Sequence, residues 1–153
     1  MRARSKLVVI GNGMAGARVV EEILARGGGD HLDIAMFGEE PYGNYNRILL
    51  SDVPNGSHQE SEIFLNPLSW YTENGIRLHA GVRAIEILRH ARQVVGTGGV
   101  VEDYDHLIIA TGSVPFIPPM AGLTVEGGGE KPGVFAFRSL DDCRRITNYA
   151  LTK

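Results

Sequence analysis

Lys6-Leu7-Val8-Val9-Ile10-Gly11-Asn12-Gly13-Met14-Ala15-Gly16 reads as a buried strand, a glycine turn and the start of a helix in succession. Residues 7–10 form an unbroken apolar run, the pattern of a strand covered on both faces, and the run stops at G-x-G-x-x-G. The three glycines have separate tasks. Gly11 permits a tight turn, Gly13 lets a diphosphate approach the backbone, and Gly16 lets the helix pack close to the strand. The free N–H groups and the positive dipole end of that helix then face the phosphates.

Taken alone the pattern is weak evidence in a chain with 20 glycines, and its surroundings strengthen it. Val20, Ile23 and Leu24 share a face with Gly16 at helical spacing, Arg18, Glu21, Glu22 and Arg26 lie largely on the other, and three glycines at 27–29 end the helix. Residues 32–37 read as a second strand. Glu39 follows Gly16 by 23 residues, where such sites place a carboxylate that accepts both ribose hydroxyls of an adenosine.

At 153 residues the chain is long enough to fold around one core, burying about 70% of its unfolded surface. Its 15 basic and 18 acidic residues are dispersed and the net charge is −3, so no basic patch points to nucleic acid. The apolar runs are far shorter than the ~20 residues of a membrane span, and a cytoplasmic location is expected. The single cysteine, Cys143, excludes an internal disulfide and a multi-cysteine metal or cluster site within the chain, and reads as a small residue on a helix. Five scattered histidines show no metal-binding spacing, so no metal site is expected. Ser113 has no base at a catalytic spacing, which argues against hydrolase chemistry.

Residues 41–47 read as a turn-rich loop that a core strand would not tolerate, residues 48–53 as a short helix, and the polar segment to Glu62 as a surface excursion. Asn66 is placed as an N-cap, Pro67 at the first helical position, and Leu68 and Tyr71 facing inward, with Gly75 as the stop. Trp70 reads as core packing. Residues 76–78 make a third parallel strand if that helix is the crossover. Residues 82–88, 93–95 and 100–104 then change period and suggest an antiparallel meander, where a simple doubly wound domain would alternate helices. Residues 107–110 return to a fully apolar run, read as another central parallel strand ending at Thr111-Gly112-Ser113. The glycines at 127–129 suggest a loop and residues 134–137 a last short strand. Ser139 or Asp141 would cap a helix that starts near Leu140 and runs on without a stop signal.

Three stretches together carry a resemblance: V-I-G-N-G-M-A-G from Val9, F-G-E-E-P-x3-Y-N-R-I-L-L-S from Phe37, and Y-D-x-L-I-I-A-T-G-S-x-P from Tyr104. The chain resembles the FAD-dependent pyridine-nucleotide oxidoreductases from about Lys6 to the last helix. Residues 45–51 point within them to the large-subunit branch of the assimilatory NAD(P)H nitrite reductases. The resemblance implies an α/β fold: a Rossmann-like FAD-binding domain with a central parallel sheet and an antiparallel meander, here its first part. Residues 1–138 would form that part, and 139–153 a helix leading toward a missing NAD(P)-binding domain.

By matching position, Gly11, Gly13 and Gly16, with Met14 and Ala15 in the same turn, would hold the FAD pyrophosphate, and Glu39 the adenosine ribose. Arg47 would contact the phosphate or ribityl side. Val82 would lie beside the adenine through its backbone, and Ala110, Thr111 and Gly112 would pass under the cofactor by main-chain contact. Relatives that reduce ferredoxin-like proteins often carry a lysine where this chain has Asp52, and the paired redox cysteines of the disulfide reductases are absent, which argues against dithiol chemistry. No catalytic residue is assigned.

The function implied is an NAD(P)H-dependent oxidoreductase of the nitrite reductase type, passing electrons from NAD(P)H through FAD. NAD(P)H, an iron–sulfur cluster and siroheme are expected with the full-length protein, and the 153 residues alone are expected to be inactive. Expected partners are FAD, the later segments of the same polypeptide and a second copy of the chain. Two alternatives stay open: a non-catalytic module holding an adenine dinucleotide, favoured by the single glycine fingerprint, and part of a ferredoxin- or rubredoxin-reductase-like flavoprotein.

Overall fold

The computed structural model describes residues 4–123 and 131–152. The chain resolves into two compact units, Met1–Tyr45 with Phe64–Gly112, and Asn46–Ile63 with Ser113–Lys153.

The first unit begins with strand β1 (Ser5–Ile10), helix α1 (Met14–Ala25) and strand β2 (Leu32–Gly38). It continues through β3 (Asn44–Tyr45), β4 (Phe64–Asn66), helix α2 (Leu68–Glu73) and β5 (Arg77–Ala80). Strands β6 (Ala84–Leu88), β7 (Gln93–Gly96), β8 (Val101–Asp103) and β9 (His106–Ile109) complete it. A four-stranded parallel sheet has the order β5-β2-β1-β9, with Leu7 opposite Ile34 on one side and His106 on the other. The meander β6-β7-β8 is antiparallel, and β3 pairs antiparallel with β4.

Successive side chains of a strand point to opposite faces, so the unbroken apolar runs of β1 and β2 feed two cores. Leu7, Val9, Ile34 and Met36 pack with Val20 of α1, with Tyr71 of α2 and with Ile76. Val8, Ile10, Ala35 and Phe37 pack with Val94 of the meander. The third strand is parallel to β2, as expected with α2 as its crossover, and the region after it is a meander, as read from the change of period. A charged cluster marks the junction of sheet and meander: Arg77 bridges Asp33 and Glu102, and His79 Nε2 stands 2.7 Å from Glu102 Oε1. Burial works to raise the Glu102 carboxyl, but hydrogen bonds from Arg77 and His79 outweigh it and hold the group below the usual carboxylate range.

Four details differ from the expectations. The 41–47 stretch contains a short buried strand after all. Asn44 and Tyr45 are both buried: Asn44 Nδ2 donates to Asn66 Oδ1 (3.0 Å), while Asn44 Oδ1 has no hydrogen-bond partner among the described residues, and the Tyr45 hydroxyl donates to Glu40 (2.7 Å). The cap of α2 moves by one residue: Pro67 takes the N-cap place, Asn66 is spent in β4, and Leu68 is exposed while Tyr71 is buried. Strand β9 is parallel but lies at the outer side of the described sheet, with Ile109 62% exposed, since apolar sequence does not reveal whether a second neighbour is present. Residues 134–137 form no strand. There Phe135 packs edge-on against Tyr149, an apolar segment docked on a helix rather than paired in a ladder. The glycines at 127–129 lie outside the described residues.

In the second unit a 3-10 turn over Arg47–Asp52 is capped by Asn46, whose Oδ1 accepts from Ile48 N at 3.0 Å. A further 3-10 turn covers Glu60–Ile63 and helix α3 runs over Leu140–Leu151. Ser139 caps α3 in a reciprocal box: its hydroxyl accepts from Asp142 N (3.2 Å), and Asp142 accepts from the main-chain N–H of Ser139 (2.8 Å) and of Arg138 (2.9 Å). Burial opposes the Asp142 charge, yet these bonds keep its carboxyl below the usual range. Cys143 is buried on the inner side of α3, its Sγ 3.4 Å from the Leu50 carbonyl oxygen it donates to, and burial pushes its thiol up. An inert packing role follows.

Candidate dinucleotide site

In the parallel sheet the chain passes from β1 to β2 on one side, and β9 lies on the other. The carboxyl ends of β1 and β9 therefore flank the point where strand order reverses, which is where open α/β sheets bind ligands. The glycine turn occupies that point. Gly11 has φ +113°, its N–H donates to Phe37 O at 2.9 Å, and a Cβ on it would overlap the carbonyl oxygen of Ala110. A Cβ on Gly16 would overlap the Gly11 carbonyl oxygen and stand 3.6 Å from the Ala110 side chain, so strand, turn and helix touch backbone to backbone. Gly13 is the exception: a Cβ there would meet nothing within 4 Å. It is extended (φ −82°, ψ −175°) and caps α1 with no side-chain hydrogen bond among the described residues, and the first turn carries no acid. Among the described residues no side chain caps the first N–H groups of α1, and such a helix start can accept an anion.

The second part of the site lies at the end of β2. Glu39 is exposed, its Oε1 3.4 Å from Arg83 Nη1, a surface pair weak enough to leave the carboxylate available. Val82 N donates to Gly38 O at 2.9 Å, which brings it to the same strand end. Ala110 N donates to Ile10 O (2.8 Å), and the exposed Thr111 and Gly112 follow. Gly11, Gly13, Met14, Ala15, Gly16, Glu39, Val82, Ala110, Thr111 and Gly112 all belong to the first unit. Met14 and Ala15 are exposed in the first helical turn. Arg47 belongs to the second unit, where its Nη1 donates to the carbonyl of Arg138 at 2.9 Å.

Sequence reasoning missed a partly buried polar chain that ends at the turn. The Tyr71 hydroxyl donates to Asn12 Oδ1 (2.6 Å) and accepts from Asn44 N (3.2 Å), and Asn12 Nδ2 donates to Tyr42 O (3.3 Å). Burial raises the Tyr71 hydroxyl above its usual range, keeping it a neutral donor. The one available signal was a tyrosine, rather than a phenylalanine, on the inward face of α2.

These residues fit a dinucleotide: two glycines closed by backbone, one open cradle, an uncapped helix start and an available carboxylate one strand away. The family model of the pyridine nucleotide-disulphide oxidoreductases matches residues 5–152. An NAD(P)H nitrite reductase of Bacillus subtilis is 44% identical over 139 residues, covering 91% of this chain and 16% of that protein. An assimilatory nitrate reductase electron transfer subunit of the same organism is 42% identical, covering 96% of this chain and 18% of that one. Among solved structures, putidaredoxin reductase in covalent complex with putidaredoxin superposes with a TM-score of 0.81 at 26% identity, over 96% of this chain and 34% of that one. The chain thus spans under a fifth of the length of these two curated relatives. Backbone geometry at the turn and the family match agree, and the chain belongs to the pyridine nucleotide-disulphide oxidoreductase family.

Proposed function

We propose that this chain is the first part of the FAD-binding domain of an NAD(P)H-dependent oxidoreductase of the nitrite reductase kind. Residues 1–138 would form that part, and 139–153 a helix leading onward. The observation that carries the reading is the open backbone at Gly13 between two glycines closed by backbone contacts, at an uncapped helix start. Gly11 through Gly16 would hold the diphosphate by main-chain N–H groups. Glu39 would accept the ribose hydroxyls, Val82 would line the adenine side, and Ala110 to Gly112 would border the cofactor by main chain. Arg47 is assigned to the phosphate or ribityl side from sequence position. Bound FAD would take two electrons from NAD(P)H and release them to a further acceptor.

The similarity to an NAD(P)H nitrite reductase supports nitrite as the eventual substrate. The iron–sulfur cluster and siroheme implied by that similarity are assigned to the rest of the intact polypeptide. Among the described residues no helix is long and apolar enough to cross a membrane. A cytoplasmic location is part of the proposal. Calorimetric titration with FAD and with NAD+ tests the reading. Tighter FAD binding with a yellow complex is expected, and tighter NAD+ binding without a chromophore would overturn it.

The exposed side of β9 supports two further proposals. A later segment of the intact polypeptide would cover it, and in the isolated chain a second copy would do so. The isolated chain should turn over no NAD(P)H.

A further inference from the structure

We infer that the Tyr71 hydroxyl is a positioning group that sets the shape of the glycine turn before the dinucleotide arrives. The inference rests on the dinucleotide reading above and concerns this chain's own residues. Asn12 is the residue between Gly11 and Gly13, and its side chain is held from two directions: Oδ1 accepts from the Tyr71 hydroxyl at 2.6 Å, and Nδ2 donates to Tyr42 O at 3.3 Å. Its Cβ also abuts the end of β2, 3.0 Å from where a Cβ on Gly38 would stand. Tyr71 itself is 1% exposed within the core on the helix side of the sheet, so its ring cannot follow a moving loop.

A phenylalanine at 71 would fill the same core without burying a hydroxyl. The oxygen is therefore a cost to packing unless its partners need it. One partner is Asn44, whose main-chain N–H donates to it at 3.2 Å and whose side chain continues to Asn66. The other is the turn. Gly11 and Gly13 have no side chains with which to anchor themselves, and glycine backbone loses the most freedom when it is ordered. If the turn were loose, a ligand would bear that ordering cost on binding; a turn already held by Asn12 spares it. The polar chain from Asn66 through Asn44 and Tyr71 to Asn12 thus connects the β3–β4 pair and α2 to the place where the diphosphate is proposed to lie.

Tyr71→Phe tests this on the chain itself, with ADP and FAD as the probes and amide hydrogen exchange as a readout that needs no ligand. The expected result is a loss of ADP and FAD affinity of roughly tenfold and faster exchange of the amides at 11–15 by a similar factor. Val8 and Val9 amides should slow or speed only with global stability. Asn12→Ala removes the same bond from its other end, so the double variant should lose little more affinity than either single one. A purely fold-supporting tyrosine would give a lower melting temperature, faster exchange throughout and unchanged affinity below the melt, which would overturn the inference, as would additive losses in the double variant. If Tyr71→Phe fails to fold, Asn12→Ala decides alone: weaker ADP binding at an unchanged melt supports the inference, and unchanged binding refutes it. Failure of the wild-type chain to bind either probe would defeat the dinucleotide reading itself and this inference with it. Wild-type binding with unaffected variants defeats only the inference.

Discussion

Alanine at Gly13 and alanine at Gly16, three residues apart in one motif, should have opposite consequences. At Gly16 the new methyl group would gain about 1 kcal/mol from helix propensity, since glycine is the poorer former. It would also overlap the Gly11 carbonyl oxygen, a backbone atom already committed to a turn at φ +113°. Relief requires α1 to move off β1, and overpacking of that kind costs about 1–3 kcal/mol, near the upper end when backbone is the obstacle. The net expectation is a loss of about 2 kcal/mol, or a melting temperature lower by roughly 4–8 °C in a chain of this size. At Gly13 the methyl group meets nothing within 4 Å and the backbone is extended, a conformation alanine adopts freely. The weaker N-cap propensity of alanine and its smaller unfolded-state entropy nearly cancel, leaving stability within about 1 kcal/mol of wild type. The methyl group would nonetheless stand where the diphosphate must come close, so ADP binding should weaken by at least about tenfold, or ~1.4 kcal/mol. Urea unfolding followed by circular dichroism, with calorimetric ADP titration, measures both. A Gly16→Ala protein as stable as wild type, or a Gly13→Ala protein with wild-type ADP affinity, would refute the reasoning.

Glu39→Ala should lower ADP affinity roughly tenfold to a hundredfold at unchanged stability, because the exposed carboxylate supports no core contact. Glu40→Ala should do the reverse, removing the acceptor of the buried Tyr45 hydroxyl at a cost of about 1–2 kcal/mol in stability; equal affinity losses in calorimetry would mean the wrong carboxylate is assigned. Glu102 and Asp142 are both held below the usual carboxylate range. Their folded-state values lie below the unfolded ones, so their stabilisation is present above about pH 4 and fades as pH falls through the folded values. Melting curves from about pH 7 to about pH 3 should show this loss, shallower in Glu102→Gln, and a variant curve parallel to wild type would contradict it. The isolated chain should associate through the exposed side of β9, seen as a mass above the monomer in light scattering; replacing Ile109, which is 62% exposed, by lysine should restore the monomer, and a monomeric wild-type chain would refute the pairing.

The amino-acid sequence by itself determined the glycine turn, the strand before it, the helix after it and the meander. Each is written in local chemistry: an unbroken apolar run, glycines at fixed offsets, and a period that changes from helical to alternating. It also placed Glu39 and Ala110 at strand ends, because strand ends are marked by where apolar runs stop. Tertiary structure alone decided which of these ends meet. That Ala110 touches Gly11 and Gly16 follows from β9 pairing beside β1 across some hundred residues, a choice made by packing and not by any spacing. The same holds for β3, where Asn66 and Tyr71 arrive to accept from the two buried donors of Asn44, its side-chain Nδ2 and its main-chain N–H. It holds too for β9, whose apolar residues promised burial but lie at the described sheet's outer side. Burial and hydrogen-bond satisfaction depend on neighbours supplied by distant parts of the chain, and local sequence patterns do not carry that information.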